Sequence, residues 1–161
     1  MKVGEGLRMV QPRPPAAALG MAVQYLASDP AFGGLPFGSW SKVLIGQINR
    51  GHYGVTLDEA GRIQGFMGWA LASETGADAW LRGEGLSYAD SLDGDCVVFN
   101  AWMASTPAAQ RFMVREARRV LVGRRAFYWR RRYGSGPLRA FKQAINGRVL
   151  ERHLARNAPQ A

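Results

Sequence analysis

From Cys96 to Ala104 the chain reads Cys-Val-Val-Phe-Asn-Ala-Trp-Met-Ala, an almost unbroken apolar run. A strand with one wet face alternates polar and apolar residues; this run does not, so it predicts a central strand buried on both faces. Such a strand needs neighbours on either side and cover above and below. That requirement restricts the chain to a layered fold in which helices pack on a sheet.

The remaining segments supply those layers. Leu19, Met21, Ala22, Tyr25 and Leu26 recur at helical spacing and predict a helix over 16–27, stopped by Ser28-Asp29-Pro30. A loop is expected over 31–38, then a helix over 39–49 with Trp40, Val43, Leu44 and Ile48 on one face and Gly51 as its stop. Residues 52–57 and 62–73 read as two strands joined by the turn Asp58-Glu59-Ala60-Gly61. A short helix over 74–82 and an acidic loop over 83–94 lead into the apolar strand. Thr106-Pro107 opens a helix that runs to about Val122, with Pro in its first turn and Gly123 after it. A closing pair of strands is expected over 125–133 and 139–145, around Gly134-Ser135-Gly136-Pro137, and a short helix after Arg148. The fold class is α/β (α+β), a central, mostly antiparallel sheet with helices on its faces.

At 161 residues and 47% hydrophobic content the chain has the material for one folded domain, drawn here as 16–150. Residues 1–15 read as a flexible arm and 151–161 as a basic tail. No apolar stretch approaches the roughly 20 residues that cross a bilayer. The lone Cys96 cannot form an internal disulfide, which suits a reducing, cytoplasmic setting. Charge is unevenly spread. Residues 111–161 carry 14 lysines and arginines against 2 acidic residues, whereas residues 1–110 carry 7 against 10. Arg115, Arg118, Arg119, Arg124, Arg125, Arg130, Arg131 and Arg132 are the candidate partner-binding residues, the last five interleaved with Phe127, Tyr128 and Trp129. A field of this kind attracts an acidic protein, nucleic acid or an anionic surface, and does not choose among them.

Landmarks in a fixed order add a resemblance. Leu19-Gly20, Ser28-Asp29-Pro30, Pro36, Ile48, His52-Tyr53, Gly68-Trp69-Ala70, Ser73, Trp80-Leu81, Gly94-Asp95, Trp102-Met103-Ala104 and Asn146-Gly147-Arg148 follow one another with nearly gap-free spacing. In these the chain resembles the RTX toxin-activating (hemolysin-activating) lysine acyltransferases over about residues 16–150. The resemblance implies a GNAT-like acyltransferase fold. It implies an enzyme that takes a fatty acyl group from acyl carrier protein and places it on a protein lysine, with no bound cofactor. It also implies a His after the first helix, an Asn on the next helix, and an Asp just before the Trp of the central strand, the His–Asp pair serving as acid–base catalyst.

This chain departs from that pattern at all three positions: Phe32 stands for the His, Val43 for the Asn and Ala101 for the Asp. None can exchange a side-chain proton, so the family's mechanism does not carry over. The expected function is a non-catalytic protein that binds a protein partner, acyl carrier protein or a lipid-like ligand. One alternative is an active acyltransferase rebuilt around His52 or Asn100, although Asn100, next to Ala101 in a strand, should point to the opposite face. Another is a nucleic-acid-binding regulator using the arginines. Cys96 reads as an inert core thiol and Asp93 and Asp95 as turn residues; no cluster suggests a metal. A homodimer stays open.

Overall fold

The computed structural model describes residues 6–132 and 136–157. Its helices are α1 (Pro15–Leu26), α2 (Pro30–Gly33), α3 (Phe37–Arg50), α4 (Glu74–Leu81), α5 (Pro107–Val120) and α6 (Gly147–Arg156). Its strands are β1 (Arg8–Val10), β2 (Tyr53–Leu57), β3 (Ile63–Ala72), β4 (Cys96–Ala104), β5 (Ala126–Arg132) and β6 (Leu138–Ala144). The strands are hydrogen-bonded in chain order. β1–β2, β2–β3 and β5–β6 are antiparallel and β4–β5 is parallel, with α5 as the connection between the parallel strands. The protein is therefore a mixed α/β fold on a six-stranded, mostly antiparallel sheet. No helix among the described residues is long and apolar enough to cross a membrane.

Packing groups the chain into two compact units, each made of two segments. The first takes the chain up to Trp69 together with Asn100–Met113. Its α1 buries Ala18, Ala22 and Leu26, four residues apart, and the same core takes Trp40, Leu44 and Ile48 from α3. β1 lies within the segment expected to be a loose arm. Arg8, Met9 and Val10 pair with Leu57, Thr56 and Val55. Gln11 Nε2 donates to the carbonyls of Gly51 (2.8 Å) and Tyr53 (2.7 Å), and the Tyr53 hydroxyl to that of Pro12 (2.9 Å). Three half-exposed strand residues beside prolines leave no periodicity to detect. β3 carries an unbroken buried run, Gly65–Gly68. The expected loop over 31–38 begins with the single helical turn α2, whose first residue is Pro30 and whose cap is Asp29, accepting from the Ala31 amide at 2.7 Å.

The second unit takes Ala70–Phe99 together with the chain from Val114 onward. Ala70, Ala72, Ala77, Cys96, Val98, Ala126 and Tyr128 form its core. Ser73 caps α4, its hydroxyl accepting from the Gly76 amide at 3.1 Å. On β5 and β6 the rings of Phe127, Trp129 and Phe141 lie nearly parallel, with centroids 5.0 and 4.9 Å apart. Gly94 enters β4 at a φ of 151°, and a side chain there would run into the backbone of Ala72. The acidic loop before β4 includes a 3-10 turn at Ala89–Ser91. Of the expected turn between β5 and β6, and of the tail, Gly134, Ser135 and residues 158–161 lie outside the described residues, as do residues 1–5 of the arm.

Tyr128 ties the faces of this unit together. It is fully buried and pairs across β5–β6 with Lys142, whose ammonium lies 5.4 Å from the Tyr128 ring centroid and binds Glu74 (2.9 Å) and Asp78 (3.0 Å) of α4. Burial pushes the Tyr128 phenol up to about 12, with Asp78 adding to the shift and Lys142 opposing it. An unfolded tyrosine loses its proton near 10. Between those values the unfolded chain binds fewer protons, so stability falls as pH rises. The contribution is complete below pH 10 and gone above about pH 12. Comparing urea unfolding at pH 9 and pH 12, Tyr128→Phe should lose less stability than the parent chain, by roughly 2 kcal/mol.

Candidate functional site

One apolar cleft in the first unit gathers the positions singled out above. It has a volume of about 260 Å³ and is lined by Phe32, Leu35, Pro36, Ser39, Trp40, Val43, Leu44, Asn100 and Ala101. The single turn α2 presents Phe32, the first half of α3 presents Trp40, Val43 and Leu44, and β4 supplies Asn100 and Ala101. The Phe32 ring packs against Trp40 with centroids 6.2 Å apart, and Phe37 meets Trp40 edge-on at 5.6 Å. Ala101 is 3% exposed, whereas Leu35, Phe37 and Val43 are 48%, 60% and 37% exposed, so apolar surface continues outward from the cleft. None of the lining side chains is charged.

Phe32, Val43 and Ala101, separated by 11 and 58 positions in sequence, thus meet at one site. Asn100 lines it as well. The expectation that Asn100 would face away rested on strict alternation along the strand, and this is corrected: successive residues of β4 both border the cleft. The β4–β5 register runs from Cys96 to Phe99, so Asn100 lies immediately past it. The Asn100 amide is held by a neighbour on α3. Gln47 Nε2 of α3 donates to Asn100 Oδ1, and Gln47 is wholly buried. A Cβ at Gly68 would fall on the Gln47 amide, so Gly68 makes the room that Gln47 occupies. Sequence reasoning missed Gln47 because a glutamine on a helix carries no signal of burial.

His52 does not line the cleft. Its half-buried ring stacks on Trp69, with centroids 5.9 Å apart and planes 13° apart. Its amide donates to Gln47 O at 2.9 Å and its carbonyl accepts from Trp69 N at 3.0 Å, which fixes the start of the β2–β3 pair. Cys96 is buried, and burial first, then Asp95, raises its thiol above the usual range, the wrong direction for a nucleophile. Among the described residues no group of three or more His, Cys, Asp or Glu could hold a metal ion.

The arginines take several separate roles. Arg125 bridges Glu74 and Asp95, both at 3.0 Å, and Arg124 Nη1 donates to the Gly94 carbonyl at 2.6 Å; both thereby brace the entry to β4. Arg115 and Arg119 lie 3.7 and 3.0 Å from Glu116 on α5, with half-buried Arg118 on the same helix. Arg130 lays its guanidinium over Trp80, 4.3 Å from the ring centroid, and burial lowers its pKa. Arg131 follows Arg130 in β5 and is exposed; successive strand residues point to opposite faces, so these two serve different surfaces. The Arg132 side chain lies outside the described residues. A scan against protein-family models finds no family that matches this chain, and a search of the curated proteins finds no relative.

Proposed function

We propose that this chain is a non-catalytic relative of the lysine acyltransferases it resembles, one that holds an acyl chain in the α2–α3–β4 cleft without transferring it. The observation that carries this reading is that Phe32, Val43 and Ala101 line one cleft and give it apolar walls. Apolar concavities with few polar groups are the usual seats of small apolar ligands, and this one lies just below their usual size range. A GNAT-like arrangement agrees with the mixed, mostly antiparallel sheet and its helices. In this reading the acyl group arrives on acyl carrier protein, an acidic protein suited to the basic last third of the chain. A rebuilt catalytic site is the weaker reading, because His52 is engaged with Trp69 and does not line the cleft.

Incubation of the purified protein with acyl-loaded acyl carrier protein, followed by mass spectrometry, tests this. The expected result is an association that leaves the thioester intact and no lysine modified. Acyl transfer or release above the carrier-only control would overturn the non-catalytic assignment.

A further inference from the structure

The geometry points to Asn100 as the residue that selects the ligand's head group, donating a hydrogen bond from its amide to the uncharged carbonyl of an ester or thioester. This rests on the acyl reading of the cleft and goes beyond it by naming the group that is recognised. Of the residues that line the cleft, only Ser39, Asn100 and Trp40 carry a polar side-chain group. Because Gln47 donates to Asn100 Oδ1, the carbonyl half of the Asn100 amide is engaged and the Nδ2 half remains to donate. Gln47 is held in turn by full burial and by its fit against Gly68, so the Asn100 amide is fixed before any ligand arrives.

A preset N–H donor in an uncharged, apolar cleft suits a neutral carbonyl at the end of an aliphatic chain. A carboxylate fits poorly. It would leave water for a site where no lining side chain is cationic, and an unpaired buried charge is costly. A simple hydrocarbon would fit the walls and leave the Asn100 donor without a partner. The cleft therefore takes acylated molecules in preference to free fatty acids.

Calorimetric titration of the purified full chain with three probes of one chain length tests this: octanoyl-N-acetylcysteamine, the matching octyl thioether without a carbonyl, and octanoate. The thioester should bind about tenfold more tightly than the thioether, the worth of one such hydrogen bond, and octanoate should bind most weakly. Asn100→Leu should erase the thioester's advantage over the thioether. Gly68→Ala, whose methyl displaces Gln47, should narrow it. Equal binding of thioester and thioether by the parent chain, or tightest binding of octanoate, overturns the role of Asn100 and leaves the acyl reading standing. Failure of all three probes to bind removes the acyl reading, and the Asn100 assignment with it.

Discussion

Substituting Ala101 by aspartate is expected to cost about 3–5 kcal/mol of stability at neutral pH, the scale measured when a buried charge lacks its partner. Ala101 is 3% exposed in a wall without charged side chains, and its neighbour Asn100 already accepts from Gln47. The new carboxyl would respond by raising its pKa. The sign follows: above that raised pKa the folded state must carry an unfavourable charge. Below the ordinary carboxylate range both states are protonated, so most of the loss disappears. Urea midpoints at pH 7 and pH 4 should show a large gap from the parent chain that shrinks on acidification. The double variant Phe32→His with Ala101→Asp places an imidazole in the same cleft as the new carboxylate and should recover part of the loss at pH 7. A single variant within about 1 kcal/mol of the parent at pH 7 would mean that the wall around Ala101 is wetter than its lining implies.

Gly94→Ala should be comparably severe for a different reason. At a φ of 151° the backbone of Gly94 takes a conformation that side chains disfavour, and an added methyl would collide with the Ala72 backbone. Ala72 is itself fully buried in β3 and cannot yield as a flexible side chain would. Overpacking costs about 1–3 kcal/mol and occasionally more, and the backbone strain adds roughly 1–2 kcal/mol. The total, about 2–5 kcal/mol, should appear as a lower urea midpoint with an unchanged slope. Arg124 and Arg125 also hold this stretch, through the Gly94 carbonyl and Asp95, so the loss should reach the start of β4 and be visible there as faster amide exchange.

The long, strongly patterned elements were legible from sequence. The apolar run over 96–104 is β4 with the same ends, and α1, α3, α4 and α5 agree with the expected helices to within a few residues. What escaped had no periodicity to read. β1 has three residues, and α2 is one turn whose signal is the Asp29-Pro30 start alone. Phe32, Val43 and Ala101, where the chain departs from the pattern it resembles, line one cleft. Asn100 was misjudged: alternation along β4 puts it on the face opposite Ala101, yet both residues border the cleft and Asn100 meets Gln47 of α3. The arginines look uniform in sequence, yet Arg125 is spent on two carboxylates and Arg130 on an indole, pairings that depend on residues dozens of positions away.

β3 and β4 each begin in one compact unit and end in the other, which has a consequence for how the chain is made. Neither unit is a contiguous stretch: the first needs Met113 to be complete, and the second needs the segment that starts at Val114. During synthesis neither unit can therefore be completed before Met113 has been added. During that interval the apolar β3, and then β4, wait without their final partners, the situation in which growing chains associate wrongly. Within these residues, vectorial synthesis offers no resting point before Met113.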